Sequence, residues 1–200
     1  MTSSYEELLK WTEYLEKFKV GEFHQWPDID LYMDQVISYL ERYVTPLRTD
    51  ENEKIVTPSI INNNTKDGVL PKPVKKKYSR QLLSILLIFS TLRQVIPTQN
   101  MAVLLNTLSG AEDYPEVHNQ FARSLEQCLS ETSKMVRDEV DGLNMEDKLS
   151  VAVLAMKLAI EADAKSLAAR KLLSSLHTAE KERAAANAEN SSHSEHSAQK

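Results

Sequence analysis

The sequence predicts an all-α protein. Three observations carry that expectation. Glycine is scarce, at four in 200 residues. Long stretches are rich in Leu, Ala, Glu and Lys, which favour helix. Apolar residues recur at three- and four-residue spacing instead of alternating. Two hundred residues can bury a real core in one domain or two small ones. The chain reads as a helical domain over residues 1–110, a long helical hairpin over 115–183 and a disordered tail over 184–200.

Leu8, Trp11, Thr12, Leu15 and Phe18 fall on one face of a first amphipathic helix over residues 5–17. Asp30 has the side chain of an N-cap for a second helix over 31–43, with Met33, Val36, Ile37 and Leu40 facing inward. Pro46 ends it, and residues 48–54 form a polar loop. Thr57 then caps a short helix that opens on Pro58, where a missing N–H costs nothing. Ile60 and Ile61 are expected to face the core. Gly68 supplies the left-handed residue that stops this helix, with Pro71 just beyond. Ser79 caps a helix that is apolar on nearly every side, from Leu82 through Val95, and this is the expected centre of the core. Pro97 stops it, residues 100–108 form a last short helix, and 110–115 reads as a domain boundary.

Beyond Pro115 the pattern lengthens. Val117, Phe121, Leu125, Leu129 and Val136 form one seam over 115–140, with Cys128 expected as a small core residue on it. Gly142 and a cap at Asn144 make a turn into a second helix over 145–183. Such hairpins often pair with a copy of themselves, so a homodimer through this module is expected. The polar, aperiodic residues after 183 are expected to be disordered.

The charge is unevenly placed. Between Lys54 and Arg93 eight basic residues stand against one acid, Asp67, so this stretch carries +7 in a chain of net charge −5. A basic island in an acidic chain is the footprint of a face that meets phosphate. Its order of parts is short helix, glycine stop, proline-framed basic loop and next helix. That is the order in a winged helix-turn-helix of the mercury-resistance-regulator type, and the N-terminal domain is expected to be winged-helix-like. The loop of residues 45–56 is longer than the turn such a motif ordinarily uses.

A family resemblance rests on three strings. They are Trp26-Pro27-Asp28-Ile29-Asp30-Leu31-Tyr32-Met33-Asp34-Gln35-Val36, then Ile60-Ile61-Asn62-Asn63 with Lys66-Asp67-Gly68-Val69-Leu70-Pro71 and Lys75-Lys76-Lys77-Tyr78-Ser79-Arg80, and finally Arg93-Gln94-Val95. Over residues 26–108 the chain resembles a bacterial family catalogued as domain of unknown function 1836. The resemblance implies a winged helix and a transcription regulator. The chain departs from the pattern at Asn64, where the family tends to carry an aromatic residue, and at Thr65, where it tends to carry Val.

On the winged reading, residues 58–66 lie in a major groove of double-stranded DNA. Asn62, Asn63 and Asn64 can offer amides to adenine edges. Lys66, Lys72, Lys75, Lys76, Lys77, Tyr78 and Arg80 complete the candidate DNA-binding set, its basic members contacting phosphates. The alternative is a non-catalytic protein-interaction module whose basic loop docks an acidic partner.

Enzymatic readings find no support in the sequence. Asp28, Asp30 and Asp34 begin like a calcium loop, but Met33 and Tyr39 stand where Gly and Glu are needed. His24, His118 and His177 lack a Cys or carboxylate at ligand spacing. No phosphate-binding glycine loop is present, and no residue pattern specifies a cofactor or a small-molecule effector. One cysteine and an acidic N-terminus fit a cytoplasmic protein without a signal peptide, and no apolar run is long enough for a membrane span.

Overall fold

The structure is a computed structural model that describes residues 4–48, 50, 52–143 and 147–197. The fold is all-α. Its helices are α1 (Ser4–Glu16), α2 (Met33–Val44), α3 (Pro58–Lys66), α4 (Arg80–Leu92), α5 (Thr98–Ser109), α6 (Tyr114–Asp141) and α7 (Lys148–Ser197). Among the described residues, β pairing is confined to two antiparallel bridges, Leu31 with Tyr78 and Val74 with Lys77.

Helix α4 is the centre. Every residue from Leu82 to Ser90 is buried, Leu86 to 1% exposure. The Ser79 Oγ accepts the Leu82 N–H at 3.3 Å, so the expected cap forms. The buried Ser90 hydroxyl donates back to the Leu86 carbonyl at 2.7 Å, which satisfies it without an outside partner. Around α4 pack Val36, Leu40 and Val44 of α2, Ile61 of α3, Met101 and Leu105 of α5, and Tyr114 and Ala122 of α6.

Two expected boundaries move. The helix expected to reach Val95 ends at Leu92. Val95 and Ile96 both turn their N–H groups onto the Leu92 carbonyl, and Val95 is half exposed. Pro97 disfavours helical backbone at Ile96, so the chain cannot resume as helix through this turn. Helix α2 begins at Met33, because Leu31 is held in the bridge to Tyr78. Asp30 is therefore not its cap; the Gln35 side chain instead accepts the Tyr32 N–H at 2.9 Å.

The C-terminal helices are arranged differently from a packed hairpin. Helix α6 lies along α1, where the Ser133 Oγ donates to the Thr12 carbonyl at 2.6 Å and Arg137 pairs with Glu16 at 2.6 Å. Its first half carries Tyr114 and Ala122 into the same core as α4, so the apolar seam of α6 is covered by its own chain. Cys128 is exposed on the opposite side, not in the core.

Helix α7 rests on α5 through Asn100, whose Nδ2 donates to the Arg170 carbonyl at 3.1 Å. It meets α6 at an ion pair between Lys157 and Glu139. The expected cap Asn144 lies outside the described residues, and Asp147 accepts the Leu149 N–H at 3.1 Å in the capping position. The helix continues to Ser197, where disorder was expected. Ala184, Ala185, Ala186 and Ala188 have the highest helix propensity of any residue and extend it.

Candidate nucleic-acid interface

Helix α3 is short but fixed at both ends. The Thr57 Oγ1 accepts the Ile60 N–H at 3.1 Å, and Pro58 occupies the first turn. At the other end Gly68 has φ +75°, with its N–H on the Thr65 carbonyl at 3.3 Å. The Val69 N–H reaches the Asn64 carbonyl at 2.9 Å. These two bonds around a left-handed glycine make a Schellman stop. Ile61, Val69 and Leu70 are buried beneath it, while Ile60 is only partly so. Nine residues form no stable helix alone, so this packing is what maintains it.

The three asparagines have different environments. Asn64 turns its Nδ2 onto the Ile60 carbonyl at 2.8 Å and is half buried. The bond lies within α3 itself, one turn back along the helix, so the anchoring to the core is left to Ile61, Val69 and Leu70. Asn62 and Asn63 are exposed, and so are Ser59 and Lys66. Positions 59, 62, 63 and 66 follow the i, i+3, i+4, i+7 rule, so these four form one outward polar stripe. Sequence reasoning overlooked Ser59, although that spacing was the signal for it.

Eight residues after α3 the chain enters a two-residue hairpin at Val74. Val74 and Lys77 exchange both backbone hydrogen bonds, at 3.1 and 2.9 Å. The turn residues are Lys75 at φ 50° and Lys76 at φ 63°. Two successive positive φ values define the turn whose twist matches a hairpin, and Asn-Gly is the pair that makes it cheaply. Lysine twice at this point is backbone strain at an exposed, charged tip. Lys72, Lys75, Lys76 and Lys77 are all exposed, and the Lys77 Nζ sits 5.4 Å from the centre of the Tyr32 ring.

Tyr78 and Arg80 separate from that group. Tyr78 is 3% exposed and pairs both backbone groups with Leu31, and burial raises its phenol above the usual range. Its side chain is part of the core. The Arg80 Nε donates to the Pro27 carbonyl at 3.1 Å, with its guanidinium 5.5 Å from the Phe23 ring centre. Arg80 therefore ties the start of α4 to the segment before α2 and is only half exposed. The structure thus leaves Ser59, Asn62, Asn63, Lys66 and the four hairpin lysines exposed, buries Tyr78, and engages Asn64 and Arg80 in hydrogen bonds to backbone carbonyls.

Among the described residues no group of three or more His, Cys, Asp or Glu side chains is placed to hold a metal ion. No described helix is long and apolar enough to cross a membrane. The family model described as domain of unknown function (DUF1836) matches residues 22–128. That range runs from the turn before α2 through the first half of α6. No curated protein and no solved structure matches the chain.

Proposed function

The chain belongs to the DUF1836 family, and from that premise we propose that it binds double-stranded DNA as a transcription regulator. Helix α3 is the reading element in the major groove and the lysine hairpin is a wing on the flanking phosphates. The observation that supports this most is the pairing of an exposed amide stripe with a strained lysine turn. Asn62 and Asn63 stand on the same outward face as Ser59 and Lys66. An asparagine amide matches the N6 and N7 edge of adenine. The lysines bring point charges to the backbone, where they position the protein without reading sequence.

A second reading has its own observation. Tyr32 and Val74 border the lysines and are 55% and 73% exposed. A mixed apolar and basic surface also suits an acidic protein partner. Selection of bound sequences from random duplex DNA separates the two. Enrichment of a common motif, lost when Asn62 and Asn63 are changed to Ala, supports the regulator. A pool with no enriched motif refutes it in favour of a protein partner.

A further inference from the structure

Helix α7 has two apolar faces, and the fold covers one. Val151, Leu154, Leu158 and Leu173 are half buried on the side toward the body. On the opposite side Leu149, Val153, Met156, Ile160 and Leu167 are 74%, 50%, 56%, 62% and 61% exposed. Their spacing is four, three, four and seven residues, the recurrence of a coiled-coil seam. At 3.6 residues per turn the two stripes lie on opposite sides of the helix. An exposed apolar line of this length is a contact surface, not a scatter of single residues.

We propose that this seam pairs antiparallel with the same seam of a second copy of the chain, centred near residue 158. The sequence is self-complementary about that point. Leu149 comes opposite Leu167 and Met156 opposite Ile160 when one helix is reversed against its twin. The isologous contact closes on itself and makes a dimer instead of a filament.

Charge selects the direction. Asp163 occupies the one polar position within the seam, and its ion pair with Arg170 of the same helix is long, at 3.4 Å. A parallel, in-register pair sets Asp163 against its own copy, like charge on like. The antiparallel pair sets it against Val153 and keeps the two carboxylates apart. Oligomeric state is read without nucleic acid, so this proposal stands or falls separately from DNA binding.

The test is sedimentation of the full-length chain at micromolar concentration. The wild-type protein is expected to run as a dimer. Ile160→Glu should give a monomer with unchanged helical circular dichroism, since that position is solvent-exposed in the single chain. Its dimer dissociation constant should rise at least about a hundredfold, because two buried isoleucines are lost per dimer. Leu149→Glu should also dissociate it, and Leu149→Glu combined with Leu167→Lys should restore the dimer, because the antiparallel register sets Glu against Lys. A wild-type monomer at tens of micromolar overturns the proposal and leaves the seam to a different protein. So does a dimer that survives Ile160→Glu, or a double variant that stays monomeric.

Discussion

The Nδ1 of His118 lies 2.8 Å from the Ser84 Oγ, with both residues fully buried between α4 and α6. The other ring nitrogen, Nε2, is 3.1 Å from the Gly21 carbonyl, which can only accept. Nε2 therefore carries the proton. Tyr114 donates its hydroxyl to Ser84 at 2.9 Å, and Ser84 passes its own proton toward Nδ1. The chain of donors is complete only with a neutral imidazole. The Trp26 ring, 4.8 Å away centre to centre, closes the site.

That network makes stability depend on pH. Burial holds the His118 imidazole below the ordinary histidine range, and the Gly21 carbonyl offsets this only in part. A folded-state value below the unfolded one means that the unfolded chain binds the proton more readily. The contribution is present in full above about pH 6.5, the unfolded value. It falls as pH drops below that point and levels off once the folded-state value is passed. Thermal melts from pH 8 to 5 should show this decline, and a His118→Gln variant should show a flatter one. Equal slopes for the two proteins would remove His118 as the cause.

The neighbouring asparagines of α3 should respond in opposite ways. Asn64→Ala removes a half-buried hydrogen bond to the Ile60 carbonyl within α3 and should lower stability by up to about 1 kcal/mol. Asn62→Ala and Asn63→Ala touch only the surface and should leave melting within error. On the DNA reading, a base-contacting asparagine costs about 1–3 kcal/mol of specific affinity when lost. Melting and binding curves for the three variants check both halves.

The wing offers a substitution that strengthens the fold while weakening its use. Lys75→Asn with Lys76→Gly installs the residues this turn accepts without strain, and should stabilise the protein by about 1 kcal/mol or more. The same change removes two charges. On the DNA reading, each lost phosphate contact lowers the log–log salt slope of affinity by about 0.9. Titrations at several salt concentrations, set beside melting curves, measure the two effects. A stabilised protein with an unchanged slope would exclude the hairpin from the interface.

Leu86→Ala should destabilise by about 2–5 kcal/mol, since the side chain is 1% exposed at the middle of α4 and the surrounding packing cannot collapse fully. Chemical denaturation with an unchanged m-value would register this directly.

Local rules made α3 and α4 legible in the sequence. Thr57, Pro58 and Gly68 act within a few residues of themselves, and their effects on the backbone follow from their chemistry alone. The continuous apolar run after Ser79 likewise signals burial on all sides. What escaped the sequence depends on distant partners. Asn64 and Asn62 are alike in composition and differ in burial, Asn64 being half buried and Asn62 exposed. Tyr78 belongs to the core because Leu31, far back in the chain, pairs with it. Arg80 looked like a phosphate contact until Pro27 and Phe23 came beside it. The covering of α6 by α1 was hidden for the same reason, because an apolar stripe does not name its partner.

The bridge between Leu31 and Tyr78, with N–H···O distances of 3.0 and 2.8 Å, sets the entry and exit of one continuous segment side by side. Helix α2, helix α3 and the wing all lie between those two residues. The segment is therefore a closed excursion of the chain, whose two ends are clasped together while its helices pack onto α4. Its interior loops can lengthen or shorten without moving either junction, as long as the two hydrogen bonds are kept. The segment is not interchangeable, however, because Val36, Leu40, Val44 and Ile61 carry it into the core around α4 and any replacement must refill that space. The exposed positions of α3 and the lysine turn are thereby free to change while the buried ones are held, with Tyr78 in the core as the clasp that returns the chain to the start of α4.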